Sequence, residues 1–159
     1  MKEKIYKLQT MKSDLYGELL REAEKDGINR FVAGGIIIND DSKVLLLKRK
    51  EGDFMGGIYE LPSGKVEKGE TLENALFREI KEETGLIAKE VGEYIGSFDY
   101  ISKNEEKTRQ FNFAVMVKDF LEIKLSEHES FAWIGESETE QYQISENVKE
   151  ILKLFWRKL

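Results

Sequence analysis

The chain has 159 residues, with 25 Lys and Arg against 31 Asp and Glu for a net charge of −6, no cysteine and one histidine. These counts exclude disulfides, thiol catalysis, Cys-based zinc sites and multi-His metal centres, and the acidic balance argues against stable coating of nucleic acid. With 40% hydrophobic and 35% charged residues, the length fits one globular domain that buries its own core. A metal held here would rest mainly on oxygen ligands, which favours Mg²⁺ or Mn²⁺ over zinc. No run is long enough to span a membrane and the first residues lack a signal-peptide core, so a cytoplasmic location is expected.

Residues 1–12 are Lys-rich with Ile5, Tyr6 and Leu8, and read as a short strand or a loose arm. Ser13 is expected to cap a helix over about 13–25, with Leu15, Leu19 and Leu20 as its stripe and Gly27 as its stop. That helix either packs on the domain or forms a homodimer contact. Phe31 to Ile38 is an apolar run suited to a strand buried on both faces. Asn39-Asp40-Asp41-Ser42 is turn chemistry, and Val44 to Leu47 is a second buried strand, so the pair is predicted to form a hairpin. The end, Lys48-Arg49-Lys50, is either a solvated strand end or, through Arg49, a phosphate contact. In the loop Glu51 to Gly57, Phe54 and Met55 are either core plugs or base contacts. Ile58 to Leu61 is a short strand stopped by Pro62, and Gly64 follows in a sharp bend.

Further on, Ile95 to Tyr100 and Gln110 to Val117 read as strands, the second with Phe111, Phe113, Val115 and Val117 on one face. Asp119 to Leu125 is expected to continue extended. Ser126 to Glu129 is a polar loop, and Phe131 to Ile134 a short strand. Ser145 is expected to cap a last helix with Val148, Ile151, Leu152 and Phe155 on one stripe.

The stretch Gly64 to Leu86 breaks its own pattern. Leu72, Ala75 and Leu76 begin an apolar helical stripe, and its continuation falls on Glu79, Glu82 and Glu83. Glu79 and Glu83 repel at i,i+4, and carboxylates on a core-facing stripe need a partner. The simplest partner for three of them is a divalent cation.

That stretch resembles the Nudix box, G-x5-E-x7-R-E-U-x-E-E-x-G-U with U aliphatic. Gly64, Glu70, Arg78, Glu79, Ile80, Glu82, Glu83, Gly85 and Leu86 fill every specified position. Tyr59 to Glu67 is similar to the W-E-x-P-G-G-x-x-E entry of MutT-like members, with Tyr59 in place of Trp and Ser63 in place of the first Gly. The resemblance implies an α/β fold of the α+β type, an α/β/α sandwich with a central mixed sheet and the box as a loop-helix-loop. Residues 1–28 would be an N-terminal extension and 29–159 the hydrolase domain.

The resemblance also implies roles. Glu79 and Glu83 would be metal ligands, Glu82 a third ligand or the catalytic base, and Gly64 a carbonyl ligand. Arg78 would orient a glutamate by ion pairing, and Glu70 would be structural. The segment Leu125 to Ile134 resembles the E-H-x-x-x-x-W segment of some members, which nominates Glu127 as a further ligand or base, with Glu129 as the alternative and His128 as a packing residue. The implied activity is Mg²⁺- or Mn²⁺-dependent hydrolysis of a nucleoside diphosphate linked to a group X. The ion would neutralise polyphosphate charge and acidify a water, and a carboxylate would take its proton. The short chain favours an intact or damaged nucleoside triphosphate, with ADP-sugars, dinucleoside polyphosphates, capped RNA and a non-catalytic nucleotide sensor as alternatives. Substrate-contact candidates are Arg49, Phe54, Tyr59 and Arg109, followed by Tyr100, Phe111 and Asn147.

Overall fold

The computed structural model describes the backbone of residues 2–120 and 122–159 and the side chains of 12–120 and 122–159. Helix α1 spans Lys2–Lys25. The strands are β1 (Arg30–Ile37), β2 (Val44–Arg49), β3 (Tyr59–Glu60), β4 (Ser63–Lys65), β5 (Ala88–Ile101), β6 (Lys107–Val117) and β7 (His128–Ile134). Helix α2 covers Leu72–Thr84, a 3₁₀ turn covers Glu136–Gln141, and α3 covers Glu146–Arg157.

Among the described residues two sheets form. One is mixed, in the order β4-β1-β6-β5, with β1 and β6 parallel; the other is antiparallel, in the order β3-β2-β7. The predicted hairpin is corrected here. Ile38 and Val44 share one antiparallel bridge, after which β1 and β2 part into different sheets. Each strand is buried on both faces, so each needs its own neighbours on either side, and the split supplies them.

The sheets lie between helices. One core unites Ala33, Ile37, Leu45, Leu47, Phe111, Phe113 and Val115 with the inner face of α2 and with Ala23 of α1. The other unites Ile36, Leu46, Ile95 and Ile134 with Val148, Ile151, Leu152 and Phe155 of α3. This is the expected α/β/α sandwich with a mixed sheet. The last helix starts as its sequence dictates, with the Ser145 hydroxyl accepting from Val148 N at 3.3 Å.

Two other expectations change. The first helix begins at Lys2, so residues 2–12 are neither strand nor arm, and Ser13 lies inside it rather than capping it. Lys, Glu, Leu, Gln and Met are good helix formers and outweigh the capping signal. From Lys12 onward the helix is tied down: Lys12 Nζ donates to Val91 O at 2.7 Å, and Tyr16 meets Phe113 edge-on at 5.5 Å. Residues 119–125 belong to no strand among the described residues. Lys124 N donates instead to Thr84 O at 2.8 Å, at the end of α2.

Helix α2 is well specified. Thr71 accepts from Asn74 N at 3.0 Å as N-cap, and Gly85, at φ 75°, ends the helix with its N–H on Lys81 O. Leu72, Ala75, Leu76 and Ile80 are buried on its inner face. Truncating any one of the leucines to Ala would cost about 2–5 kcal/mol.

Candidate metal-binding and catalytic site

The C-terminal half of α2 carries the acidic cluster, and Arg78 organises it. Its guanidinium grips Glu70 at both oxygens, Nε to Oε2 at 2.7 Å and Nη2 to Oε1 at 2.8 Å. It also donates to Lys65 O at 2.9 Å and to Glu79 Oε1 at 2.6 Å. Glu70 accepts in addition from the Glu67 amide at 2.9 Å. One cation therefore fastens the loop, β4 and the helix together. These hydrogen bonds, Arg78 first, pull the Glu70 carboxyl down to about 2.

Glu79 is half-buried, and desolvation pushes its carboxyl upward against the pull of Arg78. Gly64 makes room for it, because a Cβ on residue 64 would collide with the Glu79 carboxylate. Glu83 is 8% exposed. Burial first, then the neighbouring Glu60 and Glu79 charges, push its carboxyl up to about 9, although the Ser63 amide donates to it. Glu83 Oε2 is buried without a hydrogen-bond partner.

Glu82 does not share this face. Its side chain is 58% exposed and lies 3.4 Å from Arg78. The apolar stripe continues instead through the buried Ile80, Glu83 and Thr84, so the acidic turn of the stripe applies to two glutamates rather than three.

The remaining acidic residues come from elsewhere in the chain. Ser126 Oγ donates to Glu82 O at 2.9 Å, which pins the loop carrying Glu127 to the end of α2. Glu127 lines the same cleft as Glu79 and Glu83. The alternative, Glu129, is engaged 3.1 Å from Lys48. A register shift between Lys48 and Arg49 in the β2–β7 pairing sets His128 beside Arg49.

His128 is buried behind the acidic cluster. Its side chain is 6% exposed, its Nε2 shares a 2.8 Å hydrogen bond with Glu60 Oε1, and its Nδ1 lies 3.8 Å from Glu83 Oε2. The chain Arg49–Glu60–His128 thus backs the cluster, with Arg49 Nη1 at 3.2 Å from Glu60 Oε1. Sequence reading missed Glu60 and His128 as members of the site. The signal available for Glu60 was its position beside Tyr59 in the box entry.

The cleft measures about 510 Å³. Of the substrate-contact candidates, Arg49, Phe54, Tyr100 and Asn147 line it. Arg49 is already engaged, donating through Nε to Phe54 O at 2.6 Å. Three candidates lie outside its lining. Tyr59 packs edge-on against Tyr142 at 5.1 Å. Phe111 is a core residue at 1% exposure. Arg109 is tied to Asp99 at 2.6 Å and to Asp26 at 3.0 Å. Aromatic rings and strand cations of this kind are spent on packing and ion pairing.

Among the described residues no three His, Asp or Glu side chains stand as a finished coordination cluster. The donor set nonetheless fits a hard cation. Its donors are oxygens, Glu83 Oε2 is a buried acceptor without a hydrogen bond, the equally unpaired His128 Nδ1 standing off at 3.8 Å, and carboxyl groups crowd the cleft. A divalent ion satisfies all three conditions.

An α/β/α domain with an arginine-braced helix of glutamates at the head of a cleft has the architecture of the Nudix class. The NUDIX domain family model matches residues 29–155, and the chain belongs to the Nudix hydrolase family. It is similar to the CTP pyrophosphohydrolase of Escherichia coli K12, at 34% identity over 121 residues, covering 75% of this chain and 86% of that enzyme. It is 60% identical over 53 residues to the ADP-ribose pyrophosphatase of Methanocaldococcus jannaschii, which covers 33% of this chain and 31% of that enzyme. Among solved structures, the MutT protein from Methanosarcina mazei Go1 aligns with a TM-score of 0.72 at 26% identity, over 81% of this chain and 94% of that one. Among the described residues no helix is long and apolar enough to cross a membrane.

Proposed function

We propose that this protein hydrolyses the phosphoanhydride of a nucleoside diphosphate linked to a group X, with Mg²⁺ or Mn²⁺ as cofactor and a nucleoside triphosphate as the favoured substrate. The observation that carries the proposal is the buried, unpartnered Glu83 Oε2 beside Glu79, Glu60 and Glu127 at one end of an open cleft. Carboxyl groups so crowded that burial and like charge push one of them up to about 9 are built for a cation.

Glu79, Glu83 and Glu127, with the Gly64 carbonyl, would hold the ion. When bound, a divalent ion neutralises polyphosphate charge and lowers the pKa of an attached water. The chain's own groups do the rest. Arg78 holds Glu79 in place, and Glu70 holds Arg78. Glu82, exposed at the edge of the cluster, is free of ligand duty and takes the proton from the attacking water. Arg49, restrained by Glu60 and by the Phe54 carbonyl, lines the same cleft and would contact the phosphates.

The match over 86% of the length of a CTP pyrophosphohydrolase supports a triphosphate. The stretch shared with the ADP-ribose pyrophosphatase spans a third of the chain, which keeps a nucleotide sugar as the second reading. Glu79→Gln with retained fold is expected to lower kcat by at least about 100-fold. Turnover within a few-fold of the unaltered protein would remove Glu79, and with it this site, from the chemistry.

A further inference from the structure

The other end of the cleft carries a constellation that the acidic cluster does not use. In the mixed sheet, Arg30 pairs with Thr108 and Thr108 with Tyr100; Val32 pairs with Gln110 and Gln110 with Phe98; Gly34 pairs with Asn112 and Asn112 with Gly96. These rows alternate along the strands, so all nine positions share one face. Arg30, Val32, Phe98, Tyr100 and Gln110 line the cleft. Thr108, Gln110 and Asn112 are 0%, 6% and 0% exposed. Three buried polar residues at alternate positions of a central strand need an explanation.

The hydrogen bonds fix their orientation. Asn112 Nδ2 donates to Gly96 O at 3.1 Å and to Gln110 O at 3.3 Å. Carbonyls only accept, so Asn112 Oδ1 must be the acceptor facing Gln110. Gln110 meets it with Nε2 at 2.8 Å. The Gln110 Oε1 is therefore presented as an acceptor. It takes no hydrogen bond among the described residues and is not sealed from the cleft. Gly34 is required for this arrangement, since a Cβ there would collide with both amides.

Beside it, Arg30 Nη1 donates to the Tyr100 hydroxyl at 3.2 Å and to Thr108 Oγ1 at 3.5 Å. Among the described residues Arg30 pairs with no carboxylate, whereas Arg49, Arg78 and Arg109 each do. Val32 and the neighbouring rings of Phe98 and Tyr100, 6.0 Å apart, give the patch an apolar surface. A pre-oriented acceptor, a guanidinium with spare donors and an apolar surface match the edge and face of a nucleobase.

We propose that this patch holds the substrate's nucleobase and selects bases with an exocyclic amino group, Gln110 Oε1 accepting from the amino N–H and Arg30 donating to the adjacent ring nitrogen or carbonyl. This rests on the nucleotide reading of the acidic end. An oxo base turns a carbonyl oxygen, in place of the amino N–H, towards the recessed Oε1, and the two acceptors repel. Sites built to pair a polar group reject the analogue that lacks it.

The test uses pairs that differ at that group: CMP against UMP and AMP against IMP by calorimetry, and CTP against UTP and ATP against ITP by kcat/KM with Mg²⁺. The amino member is expected to win by at least about tenfold in each, and Gln110→Met should bring the ratios towards one. Arg30→Met, at a half-buried strand end, is the second variant and should weaken binding of both members of each pair. Equal affinity for amino and oxo monophosphates, or affinity for neither, overturns the base site. Preferential CMP binding with no hydrolysis of any nucleotide keeps the base site and overturns the hydrolase reading instead.

Discussion

The Glu79 carboxylate occupies the space where a side chain on Gly64 would begin. The motif glycine and the motif glutamate are thus two halves of one packing requirement, 15 positions apart in the chain and adjacent across the β4–α2 interface. Gly64→Ala should leave the fold intact, because the obstructing atoms are the end of a flexible side chain, and should change the melting free energy by about 1 kcal/mol or less. It should displace Glu79 and lower kcat by about 100-fold. Circular dichroism with steady-state kinetics checks both.

Glu83 ties stability to pH and to metal. Its folded-state carboxyl lies near 9, above its unfolded value of 4.5. The folded chain therefore binds the extra proton, and the associated stability is full below about pH 4.5 and lost as pH rises towards 9. In EDTA, the Tm should fall between pH 5 and 9, and Glu83→Gln should flatten that fall. Added Mg²⁺ should raise the Tm more at pH 8, where displacing the Glu83 proton costs less, than at pH 6. A metal-induced shift independent of pH in calorimetric scans would count against Glu83 as a ligand.

Glu70 acts with the opposite sign. Its carboxyl is pulled down to about 2 from 4.5, so its contribution is present above pH 4.5 and lost as pH falls towards 2. Glu70→Gln should move the acid-unfolding midpoint upward. It should also loosen Arg78 and lower kcat by about tenfold with little change in KM. Arg78→Lys, which cannot grip Glu70 at two points while holding Glu79, should lose more.

Arg109 separates structural from substrate-contacting cations. It lies outside the cleft lining and is tied to Asp99 and Asp26. Arg109→Ala should cost about 1 kcal/mol of stability and leave KM within about twofold. Arg49→Ala should raise KM by about tenfold or more. A KM effect at Arg109 equal to that at Arg49 would contradict the placement.

The box was legible because it is local. Glu70, Arg78, Glu79 and Glu83 lie on one loop and one helix, and spacing alone brings them together. Even so, the stripe argument put Glu82 inward, where the helix presents Ile80 and Thr84 instead. The contact between His128 and Glu60 was illegible because they meet across strands, 68 residues apart, beside a register shift that no periodicity announces. The β1–β2 hairpin failed for a related reason, since two strands buried on both faces compete for central positions. Gln110 and Asn112 were hidden behind Phe111, Phe113 and Val115. Alternation singled out the apolar face and left the polar one unread, but β6 is an inner strand and Gln110 on that face lines the cleft.

The most direct test is hydrolysis of a nucleotide panel with Mg²⁺ and with EDTA, the products resolved by ³¹P NMR, in parallel for the unaltered protein and Glu79→Gln. At least one nucleoside triphosphate should be converted to monophosphate and pyrophosphate by the unaltered protein with Mg²⁺ alone, and by Glu79→Gln at least about 100-fold more slowly. No turnover of any nucleotide by the folded, Mg²⁺-supplied protein, or equal turnover by Glu79→Gln, would contradict a catalytic role for the glutamate cluster.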